Sequence, residues 1–179
     1  MREWLYMAKN VRILLAFMCA PLFAIQVDIP ELDGFAPGDV ATFQVSSSDL
    51  TDQSVLSFYA EVAFDFEVAE FSHVSFSGHL TDSWSEPSIN NSASGSVIIG
   101  AFGTSPLSGE GILFEVVFNV VGVGGASTAI SFAEFYFNEG SPSSDTTNGL
   151  LTISEIPGCT DSDAYNFEPS ATLDDGSCI

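Results

Sequence analysis

Along residues 54–66, Leu56, Phe58, Ala60, Val62, Phe64 and Phe66 share one parity, while Val55, Ser57, Tyr59, Glu61, Ala63 and Asp65 share the other. A period of two sends the first set to one face of a β-strand and the second to the opposite face. On a helix the same apolar residues would scatter around the circumference, so this segment commits the chain to a sheet. A sheet with one apolar face needs a second layer to cover it.

Other segments carry the same signal. Residues 26–29 alternate and stop at Pro30, and residues 40–45 form a second strand. Residues 70–76 present Phe71, Val74 and Phe76, and residues 97–102 are a short apolar run. Ile112, Phe114, Val116, Phe118 and Val120 line up on one side of another strand. Ile130 and Phe132 share a parity that Phe135 and Phe137 reverse, which predicts a bulge around Ala133 and Glu134. Residues 150–153 close the domain. Turn signals separate these segments, among them Asp33-Gly34, Pro37-Gly38-Asp39 and Gly122 to Gly125. Residues 80–96 read as a polar connection and residues 140–148 as a turn-rich loop. With no amphipathic helix, the expected fold is all-β: an antiparallel jelly-roll β-sandwich of eight or nine strands.

Charge narrows the function. The 179-residue chain has a formal net charge of -21, and its three bases are Arg2, Lys9 and Arg12. Only Glu3 of the 24 acids precedes Ile13, leaving 23 acids and no Lys or Arg in the rest. A phosphate backbone needs cations to displace its counterions, so direct nucleic-acid binding is excluded. Lys and Arg salt bridges are equally impossible beyond residue 12, and the fold must rest on apolar burial and hydrogen bonds. Mutual repulsion of the acids would be relieved by salt or divalent cations, although such a surface also serves solubility alone.

The bases belong to an n-region, residues 1–12, followed by the apolar stretch from Ile13 to Ala24, which is too short to span a bilayer. This pattern predicts a signal peptide over residues 1–24 with cleavage near Ala24, hence a secreted or cell-surface protein with no membrane insertion after cleavage. A lipid-anchored Cys19 is disfavoured because Met18 stands where such sites want a small residue. Two later cysteines, Cys159 and Cys178, enclose a short C-terminal loop and are a disulfide candidate in an exported chain. The expected organisation is a leader over 1–24, a sandwich over 25–155 and a small Cys-bounded segment over 156–179.

The order of features resembles the cohesin domain over roughly residues 27–154. Ala36-Pro37-Gly38-Asp39 precedes the second strand, and Phe64-Asp65-Phe66 stands where cohesins usually read Tyr-Asp-Pro. Gly109-Glu110-Gly111-Ile112-Leu113-Phe114-Glu115-Val116-Val117-Phe118 is similar to their G-x-G-x-L-x-x-(I/L)-x-F segment, and Asn148-Gly149 precedes the last strand. The resemblance implies a jelly-roll module that holds a dockerin partner, often in polysaccharide-degrading or cell-surface assemblies. It places the Asn and Asp with which many cohesins contact dockerin at Ser57 and Tyr59, where this chain departs from the family. The outward row Ser57, Tyr59 and Glu61 is the expected contact surface. Some carbohydrate-binding modules share this broad fold.

The stretch from Gly158-Cys159-Thr160-Asp161 to Asp174-Asp175-Gly176-Ser177-Cys178 resembles a short repeat of bacterial surface proteins, with Asn166, Pro169 and Ala171 also fitting. Asp161, Asp163, Asn166, Asp174 and Asp175 are candidate oxygen ligands for Ca²⁺, although their spacing is not that of an EF-hand.

Catalysis is not expected. His73 and His79 have no marked nucleophile or metal partner, and the chain has neither a phosphate loop before a helix nor an H-E-x-x-H motif. Three function classes remain: a dockerin-type protein partner, a polysaccharide ligand contacted by Tyr59 and Trp84, or a structural spacer. Trp84 is expected to pack over the sandwich, and the fourteen phenylalanines beyond the leader to fill the core.

Overall fold

A computed structural model describes residues 24–92 and 95–179. Apart from Ala24, the expected leader and Cys19 lie outside them. Two sheets face each other. The first has five strands: β1 (Ile25–Asp28), β3 (Val40–Ser47), β5 (Ala69–Ser75), β8 (Gly111–Val120) and β10 (Ser144–Thr147), ordered β10-β1-β3-β8-β5. The second has six: β2 (Glu31–Phe35), β4 (Ser57–Ala63), β6 (Ser88–Ser92), β7 (Ser96–Phe102), β9 (Ser127–Phe137) and β11 (Gly149–Ile153), ordered β2-β11-β9-β4-β7-β6. Two short tail strands, β12 (Pro157–Gly158) and β13 (Leu173–Asp174), pair in parallel. No helix occurs among the described residues.

Eleven strands build the sandwich where eight or nine are expected. Pro30 cannot donate to a ladder, and it breaks the first strand so that β1 and β2 serve different sheets. The polar connection expected over 80–96 contains β6, and the loop expected over 140–148 contains β10. Both are mostly polar strands recruited by pairing: Ile89 and Asn90 lie opposite Ile99 and Ile98, and β10 runs parallel to β1.

The alternation of residues 57–63 holds: Phe58, Ala60 and Val62 are buried, and Ser57, Tyr59, Glu61 and Ala63 are half-buried on the outer face. It fails at the ends. Val55 is fully buried and Leu56 is 40 % exposed, the reverse of the expected parity. The phase breaks between Leu56 and Phe58, where the chain enters β4, so residues 55 and 56 do not follow the parity of the ladder. Phe66, expected inside, lies in the turn after β4 and is largely exposed. The predicted bulge is present: Glu61 faces Glu134 and Val62 faces Phe132, leaving Ala133 unpaired between them.

The core is aromatic. Phe58 stacks on Phe114 across the two sheets at 4.9 Å, and Phe118 takes edge contacts from Phe43 at 5.9 Å and Phe64 at 4.9 Å. Such pairs add about 0.5–1.5 kcal/mol each beyond the area they bury. The motif residues have local reasons. Asp39 Oδ2 accepts from the Ala36 backbone N–H at 2.7 Å, closing the turn that leads into β3. A Cβ on Gly149 would stand 2.2 Å from the Pro30 carbonyl oxygen, so only glycine lets β11 pass that crossing.

Candidate docking face

The three expected contact residues lie on β4, an interior strand of the six-stranded sheet flanked by β9 and β7. Because Phe58, Ala60 and Val62 are drawn into the core, Ser57, Tyr59 and Glu61 must project from the opposite face. The structure therefore brings all three into one row.

The neighbouring strands complete the surface with residues that were not singled out in the sequence. Tyr136 of β9 lies directly opposite Tyr59, and the rings stack with centroids 5.0 Å apart and planes 9° from parallel. Glu134 lies directly opposite Glu61. On the other flank, Gly100 of β7 faces Tyr59, Ile98 faces Glu61 and Phe102 faces Ser57. Phe102 is 64 % exposed. A Cβ built on Gly100 would meet nothing within 4 Å, so the backbone beside Tyr59 is an open floor. Tyr136 and Glu134 were findable: the parity reversal that puts Phe135 and Phe137 inside turns these two outward.

Burial of the Tyr59 ring, followed by the negative charges of Glu61 and Glu134 and the proximity of Tyr136, raises the phenol above its usual value of 10.0. Tyr59 is thus a neutral hydrogen-bonding group at ordinary pH. Like charges directly opposite each other in an antiparallel pair are destabilising, and among the described residues there is no Lys or Arg to offset Glu61 and Glu134.

Trp84, the other candidate aromatic, behaves as expected of a packing residue. It is 9 % exposed, stacks on Phe58 at 6.2 Å and donates its indole N–H to the Ser105 carbonyl at 3.2 Å. It does not join Tyr59 on the outer face. His73 Nδ1 lies 3.1 Å from Ser72 Oγ, and His79 Nε2, in the turn after β5, lies 3.5 Å from Glu115 Oε1 of the neighbouring strand β8.

Cys159 and Cys178 form the expected disulfide. The five candidate calcium ligands are in the tail it closes. Asp161, Asp174 and Asp175 each accept a backbone N–H two residues on, from Asp163, Gly176 and Ser177 at 3.0, 3.0 and 2.9 Å. Asn166 holds the Ile179 N–H at 3.0 Å and donates to the Ser177 carbonyl at 2.7 Å. These are turn-forming bonds, and among the described residues no three acidic, histidine or cysteine side chains converge on one point.

Comparison with known proteins gives this architecture relatives. The cohesin-domain family model matches residues 25–155. No match was found among curated proteins. A non-cellulosomal cohesin from the hyperthermophilic archaeon Archaeoglobus fulgidus is similar in structure at a TM-score of 0.61 and 20 % identity, over 73 % of this chain and 91 % of that one. The sixth cohesin of scaffoldin B from Acetivibrio cellulolyticus, solved in complex with a Cel5 dockerin, matches at 0.62 and 16 % identity over 74 % of this chain and 100 % of that one. The OlpA cohesin from Clostridium thermocellum, solved with dockerin Doc918, matches at 0.61 and 16 % identity over 73 % and 99 %. By the family model that covers the sandwich from Ile25 through Glu155, the chain belongs to the cohesin family.

Proposed function

We propose that this cohesin is a non-catalytic extracellular or cell-surface adaptor that docks a dockerin-type module on the outer face of its six-stranded sheet. The observation that carries this is the Tyr59–Tyr136 stack at the centre of that face, a rigid half-exposed aromatic anchor of the kind that dominates protein interfaces. Two of the similar structures are cohesins in complex with dockerins. The leader pattern of residues 1–24 and the disulfide support export. The partner would connect this chain to a polysaccharide-degrading or surface assembly.

The test is a pull-down from the source organism with the chain as bait. Enrichment of dockerin-bearing proteins over a sandwich control, weakened about 30-fold by Tyr59→Ala, is expected. Absence of enrichment, or indifference to Tyr59→Ala, would overturn the reading.

The stacked tyrosines also favour a second reading, direct polysaccharide binding, in which flat rings pack against sugar faces. Retention on insoluble glycans, lost on Tyr59→Ala and kept when Trp84 is changed conservatively to Phe, would support it. A chain that captures neither protein nor glycan is a structural spacer.

A further inference from the structure

We infer that the docking face takes an arginine side chain from a basic partner segment, lodged over Gly100 against the free face of Tyr59 and beside the carboxylate of Glu61. This deepens the docking reading and rests on it. Tyr136 covers one face of the Tyr59 ring from β9, so the other face is turned toward β7. On β7 the residue opposite Tyr59 is Gly100, with open space above it, and Ile98 bounds the slot one row along. An aromatic wall above a bare backbone floor accepts a flat group. Glu61 and Glu134 sit in the next row, directly opposite one another. Two facing carboxylates cost the fold stability, and no cation of the described residues relieves them. A guanidinium satisfies both features: it stacks on an aromatic face and pairs with the Glu61 carboxylate through its fork of donors, while Glu134 one strand beyond adds to the negative field, and a compact ammonium does this less well. The partner is therefore cationic where this chain has 23 acids and no Lys or Arg after residue 12.

The chain, isotopically labelled, is titrated by NMR with Nα-acetyl-arginine methylamide, its lysine counterpart and its neutral citrulline counterpart. Arginine amide should shift the Tyr59 and Tyr136 ring signals saturably, lysine amide more weakly and citrulline amide not at all. Glu61→Gln/Glu134→Gln should weaken the arginine response about tenfold while raising the melting temperature. Gly100→Val fills the slot with every charge kept, and should abolish the response even where the double variant folds poorly. Glu70→Gln, on the other sheet, should leave it unchanged. Shifts spread over all acids, a response that survives Gly100→Val, or lysine binding at least as well as arginine would overturn the inference. A dockerin captured through Tyr59 that ignores Glu61→Gln/Glu134→Gln counts against the arginine slot alone. Arginine in the slot without any dockerin capture counts against the docking reading alone.

Discussion

The side-chain oxygen of Asn138 accepts a hydrogen bond from the backbone N–H of Leu56 at 2.9 Å, just before β4 begins. The same oxygen takes the Ser57 N–H at 3.2 Å, and the Asn138 amide donates to the carbonyls of Ser54 and Ser141 at 3.3 and 2.7 Å. One residue at the end of β9 thus ties off the segment where the strand phase is set. Asn138 itself sits at a φ of 47°, a conformation that Asn tolerates better than most residues. Asn138→Ala should destabilise the chain by about 1–3 kcal/mol, measured by urea unfolding. Asn138→Gly keeps the backbone conformation accessible but deletes the bonds. A similar loss in both variants assigns the effect to the hydrogen bonds.

Gly103 meets the Trp84 indole so closely that a Cβ would stand 2.1 Å from the ring. Gly103→Ala must displace the indole from its stack on Phe58 and from the Ser105 carbonyl. A loss of about 1–3 kcal/mol is expected, as for other overpacked cores. Thermal unfolding is the check, and an unchanged melting temperature would show that the indole has room to move.

The raised Tyr59 phenol has a sign that can be tested. Its neutral form is favoured in the folded chain, so its contribution to stability is intact below the usual 10.0 and is lost as pH rises through the folded value. Ultraviolet titration, differenced against Tyr59→Phe, should show one phenol ionising late. Glu61→Gln should move that transition back toward 10.0, because it removes one of the charges that oppose the phenolate.

Reduction of Cys159–Cys178 should act locally. The loop-closure model assigns the bond about 3 kcal/mol, and the bonds it supports are within the tail, such as Glu168 N–H to the Cys159 carbonyl at 2.9 Å. Hydrogen exchange should quicken over residues 156–179 and stay unchanged in β4 and β8. Loosening of those core strands would show that the tail braces the sandwich.

Much of the fold was legible because burial imposes a period. Phe58, Ala60 and Val62 reveal β4, and the slip between Phe132 and Phe135 reveals the bulge. What escaped has no burial signature. The Ser- and Asn-rich strand Ser88–Ser92 exists because β7 offers it a ladder, and Ser144–Thr147 because β1 does. Backbone pairing, whether with the next strand as for Ser88–Ser92 or with a distant one as for Ser144–Thr147, leaves no mark on polar sequence. The candidate docking face was half legible for the same reason: Ser57, Tyr59 and Glu61 follow from one strand's alternation, whereas Tyr136, Glu134 and Gly100 join them through register.

The pairing at the open flank of the sandwich also dictates an order in time. Ile25 pairs with Ser144 and Leu32 with Leu151, so the first residues of the domain find their partners among its last. Each contact closes a loop spanning nearly the whole domain, and such topologies fold slowly, in milliseconds to seconds. A chain emerging from its N-terminal end holds one edge of each sheet unfinished until β10 and β11 arrive, so the sandwich closes only with its last strands.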